Sequence, residues 1–321
     1  MSGADRPLVS IALCTYNGER FLRKQLDSLL AQTHRPLEIV VTDDGSTDAT
    51  WAILQQYAAT SELLRIERNP HNLGYARNFE KALGLCRGQF IALCDQDDIW
   101  LPEKIERHLA ALGDAALTYS TPGYIDADDQ PLPARPFKVR RLSGRCPLAL
   151  LFHTCVTGHL SLFRREVLAH ALPFPPGCGA HDHWIPFVAA AMNGIHASDE
   201  VLSLYRVHDA NVSIRPRGRG SPLQRWRSRR QRIADRLAKR LAFLRCARLP
   251  ALLTPQELAL LDALIAEQEK LPRSFVSARL RRLLLEHREQ LLALYPKAEK
   301  MARRLSRGQR WYAAFGYLNR S

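Results

Sequence analysis

Acidic and polar residues gather at the ends of apolar runs in this 321-residue sequence, and those residues carry its chemistry. Asp95-Gln96-Asp97-Asp98 follows Phe90-Ile91-Ala92-Leu93-Cys94, and Asp43-Asp44-Gly45-Ser46-Thr47-Asp48 follows Leu37-Glu38-Ile39-Val40-Val41-Thr42. Thr15-Tyr16-Asn17-Gly18 follows Leu8-Val9-Ser10-Ile11-Ala12-Leu13-Cys14. Like charges side by side repel, so three acids on one tip suggest a ligand that compensates them. Carboxylates with one residue between them, as in Asp95 and Asp97, can converge on a hard divalent cation, and such a cation holds phosphates by sharing their oxygens. One acid of the tip could instead cap the helix announced by Pro102-Glu103-Lys104.

The elements that position these groups alternate. Each apolar run reads as a strand, and each polar end is followed by apolar residues at helical spacing: Leu22, Leu26, Leu29 and Leu30, then Ile53, Leu54 and Tyr57. Ser46 or Thr47 is the expected N-cap of the second helix. Leu63-Leu64-Arg65-Ile66-Glu67 forms another strand, and Ala76, Phe79, Leu83 and Cys86 line the next helix. This β/α alternation predicts an α/β fold, a mostly parallel sheet with helices on both faces. Ligands of such sheets bind at the carboxyl ends of the strands, where all three polar clusters fall.

Neither a G-x-G-x-x-G turn nor a G-x-x-x-x-G-K-[ST] loop follows the first strand, so dinucleotide and P-loop readings lose their support. Acids in their place could accept hydrogen bonds from a base N–H and from ribose hydroxyls, with a metal carrying the phosphates. Arg77, after Asn72-Leu73-Gly74, could reach a base or phosphate or make a surface salt bridge.

Composition narrows the class. Hydrophobic residues make up 46% of the chain, no apolar run approaches the roughly 20 residues that span a bilayer, and Met1-Ser2-Gly3-Ala4-Asp5-Arg6 lacks a signal-peptide core. A cytoplasmic location is expected. The seven cysteines are scattered without a C-x-x-C pair, which argues against a disulfide framework or a zinc site. Residues 1–215 hold 21 Lys and Arg against 24 Asp and Glu, whereas residues 216–321 hold 25 against 8, so the net charge of +14 belongs to the last third.

Four stretches, Ser10 to Asn17, Val41 to Asp48, Asn72 to Asn78 and Asp95 to Pro102, together resemble the family 2 glycosyltransferases of GT-A fold, particularly the bacterial rhamnosyltransferase-like members. The resemblance covers about residues 7–215, read as the catalytic domain, with residues 216–321 a basic α-helical extension. It implies a nucleotide-diphosphate sugar, dTDP-rhamnose or a UDP-sugar, lying across the strand ends. Thr15 and Asp44 would contact the base with Tyr16, Asn17 and Asp43 beside them. Asp95 would reach the ribose or sugar next to Gln96, and Asp97 would hold Mg2+ or Mn2+ with Asp95. Leu204-Tyr205-Arg206-Val207-His208 resembles the family's terminal segment, where His208 could complete the metal shell, contact the diphosphate or serve only a structural hydrogen bond. Gly179-Ala180-His181-Asp182-His183-Trp184 matches the place of the general base, making Asp182 the group that takes the acceptor's proton, although an acid at a helix mouth could also be a cap. Cys155-Val156-Thr157-Gly158-His159 resembles the acceptor-side turn, with His159 where a Cys is commoner.

The resemblance implies an inverting, metal-dependent transfer to a saccharide or lipid-linked acceptor of a bacterial surface polysaccharide. In the last third, Arg and Leu interleave on short helices divided near Pro255, Pro272 and Pro296. That pattern fits peripheral contact with an anionic membrane face, or a solvated face of helices packed on the catalytic unit. No nucleic-acid motif accompanies the charge, so no nucleic-acid partner is expected. The rival readings are a sugar-nucleotide pyrophosphorylase, which would want a Gly-rich basic phosphate loop after the first strand, and an adaptor acting through residues 216–321.

Overall fold

Alternation gives β1 (Val9–Thr15) two apolar faces, and each finds its own cover. Val9, Ile11 and Leu13 pack with Leu22, Leu26 and Leu29 of α1 (Leu22–Leu30), while Ala12 joins the opposite cluster with Phe79, Ala82 and Leu83. The computed structural model describes residues 6–209 and 222–311. The unit repeats through β2 (Leu37–Asp43), α2 (Thr50–Thr60), β3 (Leu64–Arg68), α3 (Tyr75–Leu85) and β4 (Phe90–Cys94). These four strands are parallel in the order β3-β2-β1-β4. The α/β fold with helices on both faces is therefore present as expected.

Beyond β4 the sheet changes character. β5 (Ile99–Trp100), α4 (Lys104–Leu112), β6 (Leu117–Ile125), β7 (Ser161–Arg164), α5 (Leu168–Ala171), α6 (His181–Ala191) and β8 (Ile195–Arg206) extend it to eight strands, order β3-β2-β1-β4-β7-β6-β8-β5. β7 is antiparallel to both β4 and β6, and β5 is antiparallel to β8, while β6 and β8 run parallel. The second half is mixed because β7 returns through the long 126–160 connection rather than through a helical crossover.

One local expectation is corrected. Ser46 and Thr47 do not cap α2, which opens at Thr50 behind Ala49, and Asp48 Oδ1 accepts the Thr50 N–H at 3.0 Å. Ser46 is held instead by Asp43, to which it donates through both its backbone N–H and its hydroxyl.

The extension comprises α7 (Pro222–Cys246), α8 (Pro255–Lys270), α9 (Ala278–Glu286), α10 (Arg288–Leu291) and α11 (Ala298–Leu305). Thr254 and Glu257 exchange hydrogen bonds as a capping box that starts α8. Ile233, Leu237, Phe243 and Leu244 of α7 share one buried cluster with Trp184, Phe187 and Val188 of α6, so the extension packs on the helix that follows the His-Asp-His segment. Among the described residues no helix is long and apolar enough to cross a membrane. The Arg-Gly run at 216–220, residues 210–213 and the side chains of Arg225, Arg227, Arg229 and Arg230 lie outside the described residues.

Close backbone approach fixes the entry to β4. A Cβ on Gly88 would come within 2.6 Å of the Ser10 backbone nitrogen and 2.8 Å of the Leu8 carbonyl oxygen. Gly88→Ala should lower the unfolding free energy by about 1–3 kcal/mol in a urea titration. A wild-type midpoint would show that the two segments part without cost.

Candidate active site

The ends of β1 and β2 are locked together by Asp43 and Asp44. Asp43 is fully buried and accepts from Thr15 Oγ1 at 3.0 Å and from Ser46 N at 3.0 Å, with Arg68 Nε at 3.4 Å. Asp44 accepts from Asn69 Nδ2 at 2.9 Å, Leu73 N at 2.8 Å and Gly74 N at 2.9 Å. These donors use most of both carboxylates' lone pairs, so the two acids act first as organisers of the 69–74 loop and the β1 end. Asn17, at φ 48°, accepts the Thr47 N–H at 2.9 Å and donates its own N–H to Ser46 Oγ. Gln96 clamps Tyr16 by accepting its N–H at 2.8 Å and donating to its carbonyl oxygen at 3.1 Å, which leaves the Tyr16 side chain at the surface, the residue 47% exposed. Arg77 pairs with Glu80 and contacts the Phe174 carbonyl oxygen, the surface ion pair that its position allowed.

The acid tip after β4 divides into two arrangements. Asp97 Oδ2 lies 2.9 Å from His208 Nε2, whose ring packs against Phe21 at 4.8 Å. Asp95 Oδ2 lies 3.2 Å from His159 Nδ1, and Asp98 Oδ2 lies 3.6 Å from His159 Nε2. His159 is buried and stacks on Tyr205 at 5.2 Å. Arg206 closes the tip from β8: its N–H donates to Asp98 Oδ1 at 3.0 Å and its Nε to the Asp97 carbonyl oxygen at 2.8 Å. The structure thus brings Asp95, Asp97 and His208 to one tip, with Asp95 against His159 and Asp97 against His208.

The environments separate the acids. Burial pushes Asp98 up to about 6, with Asp97 and Asp95 adding to the rise and His159 opposing it. Burial and the Asp95 charge also raise Asp97 against the pull of His208. Asp95 has a side chain 44% exposed; partial desolvation works against its ionisation, yet the His159 hydrogen bond and the nearby His159, His181 and Lys104 charges hold it below the usual carboxylate range. Lys104 is wholly buried, donating to the His159 carbonyl oxygen at 2.6 Å and lying 3.7 Å from the Trp100 ring centroid. Burial draws its ammonium down to about 7, although Cys94, Asp98 and Asp95 support the charge.

Asp182 opens α6 beside this tip. A Cβ on Gly158, the neighbour of His159, would stand 3.4 Å from Asp182 Cβ and 3.1 Å from His181 Nε2. His181 stacks on Phe79 at 3.8 Å, which fixes the helix start against α3. Asp182 caps nothing through its side chain, and its carboxylate makes no hydrogen bond or ion pair among the described residues. Tyr75, 56% exposed, is raised by burial and then by the Asp182 charge, which places the two within electrostatic reach.

The sequence match covers the same elements. Residues 10–172, just over half of the chain, match the family described as Glycosyl transferase family 2. The chain belongs to glycosyltransferase family 2. An uncharacterized glycosyltransferase of Haemophilus influenzae is 35% identical to this family 2 chain over 116 residues, 33% of this chain and 36% of that one. Another, alr2836 of Nostoc sp., is 29% identical over 223 residues, 63% of this chain and 66% of that one. The matched stretches therefore span less than two thirds of either relative. Among solved structures, S. aureus TarS 1–349 in complex with UDP-GlcNAc superposes with a TM-score of 0.59 at 18% identity, covering 98% of this chain and 92% of that one. Mannosyltransferase PcManGT of Pyrobaculum calidifontis, in complex with GDP-Man and Mn2+, gives 0.53 at 19% identity over 99% and 89%. These likenesses establish a shared fold.

The family 2 chain also has a donor set that suits a divalent ion. One ligand atom each from Asp95, Asp98 and His159 lies within 4.8 Å of the others, and the buried Asp98 Oδ2 and His159 Nε2 lack hydrogen-bond partners. Two carboxylates and an imidazole are a reasonable shell for Mg2+ or Mn2+, with the imidazole favouring the latter. Asp98 and His159 are the members of this cluster that the sequence pattern does not single out as candidate ligands. Lys104, in Pro102-Glu103-Lys104, predicts only the start of a helix. The signal was available in the helical spacing: Lys104, His108 and Leu112 recur every four residues on the inward face of α4, and all three are buried.

Lys104 yields a pH signature. Its folded pKa, about 7, lies below the ordinary 10.5, so between these values the unfolded chain binds the extra proton and stability rises with pH. Measured as urea midpoints, the wild type should gain stability relative to Lys104→Met as pH rises from 7 towards 10.5. A constant difference would show that Lys104 titrates normally.

Proposed function

We propose that the chain transfers a sugar from a nucleoside diphosphate to a hydroxyl of a saccharide or lipid-linked acceptor, with inversion at the anomeric carbon. The observation that carries the reading is the placement of an unengaged carboxylate, Asp182, beside the acid tip through Gly158 and His159. Asp182 takes the acceptor proton as the acceptor oxygen bonds to the anomeric carbon. The nucleoside diphosphate leaves with the electron pair of the broken bond, so one displacement inverts the centre. Family membership supports sugar transfer, and the UDP-GlcNAc and GDP-Man complexes of its structural neighbours support a nucleotide-sugar donor.

In this reading residues 1–215 form the catalytic domain and residues 216–321 its basic helical extension. Thr15, Tyr16 and Asn17 line the base side, where Asp43 and Asp44 act through the backbone that they hold. Asp95 and Gln96 border the ribose and sugar, and Arg77 stands at the outer edge of the donor site. Asp95, Asp98 and His159 would hold a divalent cation, with Asp97 and His208 as the adjoining pair. That cation, when bound, neutralises charge on the departing diphosphate. The acidic tip without a basic phosphate loop disfavours a pyrophosphorylase. The bacterial surface polysaccharide setting, dTDP-rhamnose as the first donor to test, and a place at the inner membrane face follow from the family resemblance and the basic extension.

The test is a panel of nucleotide sugars, with and without chelator, read by released nucleoside diphosphate. One donor should be turned over, and chelator should suppress it. Asp182→Asn should lower transfer by roughly 10²–10⁴-fold while donor affinity holds. Loss of donor binding in that variant, with no loss specific to transfer, would reduce Asp182 to a structural role.

A further inference from the structure

A cavity of about 310 Å³ lies where α6 meets the helical extension. Gly179 and His183, on either side of Asp182 in sequence, form part of its wall. The interior is apolar: Ile233, Leu237 and Phe243 come from α7, and Met301 and Leu305 from α11. Phe243 is fixed by stacking on His183 at 4.0 Å, and His183 Nε2 lies 2.5 Å from the Leu150 carbonyl oxygen, so this wall is preformed.

The rim has the opposite chemistry. Arg236, Lys239, Arg304 and Arg307 line the same space. None of the four has a carboxylate within ion-pairing distance among the described residues, whereas Arg245 and Arg248 nearby pair with Glu269 and Asp262. Arg307 rests on the Trp311 ring at 3.8 Å. A solvated basic face needs no hollow, and an ordinary gap between helices needs no ring of cations. Apolar walls beneath uncompensated positive charge suit a molecule with an anionic head and an apolar tail. A free polysaccharide would leave the interior uncovered, and a neutral lipid would leave the cations without partners.

His153 ties the cavity to the reaction. It lines the space and lies within the electrostatic reach of both Asp182 and Arg304. The geometry points to a binding site for a phosphate-bearing lipid, its head on Arg236 and Arg304 and its first carbons between α7 and α11, which carries the acceptor hydroxyl to Asp182. The inference rests on the transferase reading and assigns its acceptor class: a saccharide linked through phosphate to a lipid. The membrane then presents a substrate rather than merely a charged surface.

Full-length protein titrated calorimetrically with farnesyl phosphate, below its micelle concentration and with no nucleotide sugar, tests the site; farnesol and inorganic phosphate are the comparisons. Farnesyl phosphate should bind at least about tenfold more tightly than either, and Arg304→Glu and Arg236→Glu should each weaken it by about tenfold. Both arginines are exposed, so charge reversal leaves the core intact, and the farnesol comparison reads the cavity without any substitution. Equal binding of farnesol or of inorganic phosphate, absence of binding, or indifference to both charge reversals would overturn the site. Binding only in the presence of phosphatidylglycerol vesicles would overturn it in favour of surface adsorption. No donor is present, so failure here leaves the donor-hydrolysis test of the transferase reading standing on its own.

Discussion

Asp97 and Asp98, at the end of β4, stay together because β8 holds them. The Arg206 N–H reaches Asp98 and its guanidinium reaches the Asp97 backbone, the Asp126 carbonyl oxygen and the Asp129 carboxylate. Without these donors the buried Asp98 would lack compensation in a poorly solvating interior, and the tip would relax towards solvent. A site that begins at β1 thus depends on the last strand of its sheet. The antiparallel pairing of β5 with β8 is the backbone form of the same tie.

Around that tie, neighbouring acids acquire different chemistry. Asp95 keeps contact with solvent and stays readily ionised, whereas Asp98 is sealed in beside His159, under the Arg206 N–H and within electrostatic reach of Lys104. Environment, not residue type, divides an exposed carboxylate from a buried one. Asp182 differs again: its carboxylate makes no hydrogen bond or ion pair among the described residues, and its charge acts only at a distance, on His181, His183, His153 and Tyr75.

Much of the frame was legible because it is periodic. The alternation from Val9 to Cys94 places strands and helices by spacing alone, and the strand ends place Thr15, Asp43 and Asp95 on one edge. The mixed half was harder: β5 has two residues and β6 meets β8 with register shifts, so neither leaves a clean period. Site chemistry followed the same division. That acids gather is written in Asp95 to Asp98, but that His159 bridges two of them depends on a turn some sixty residues away in the chain. Nor could spacing reveal that Asp43 and Asp44 are already largely occupied, since their donors come from Ser46, Asn69, Leu73 and Gly74 after the backbone has turned.

The aromatic seam between α6 and α7 changes what shortening the chain would mean. Phe243 touches Trp184 edge-on at 6.1 Å and Phe187 at 5.7 Å, and both partners sit on the helix whose first turn bears Asp182. Cutting away the basic third would strip an oily flank bare and unsettle the helix from behind. An inactive stump would therefore be ambiguous evidence about recruitment, because the tail is also a buttress.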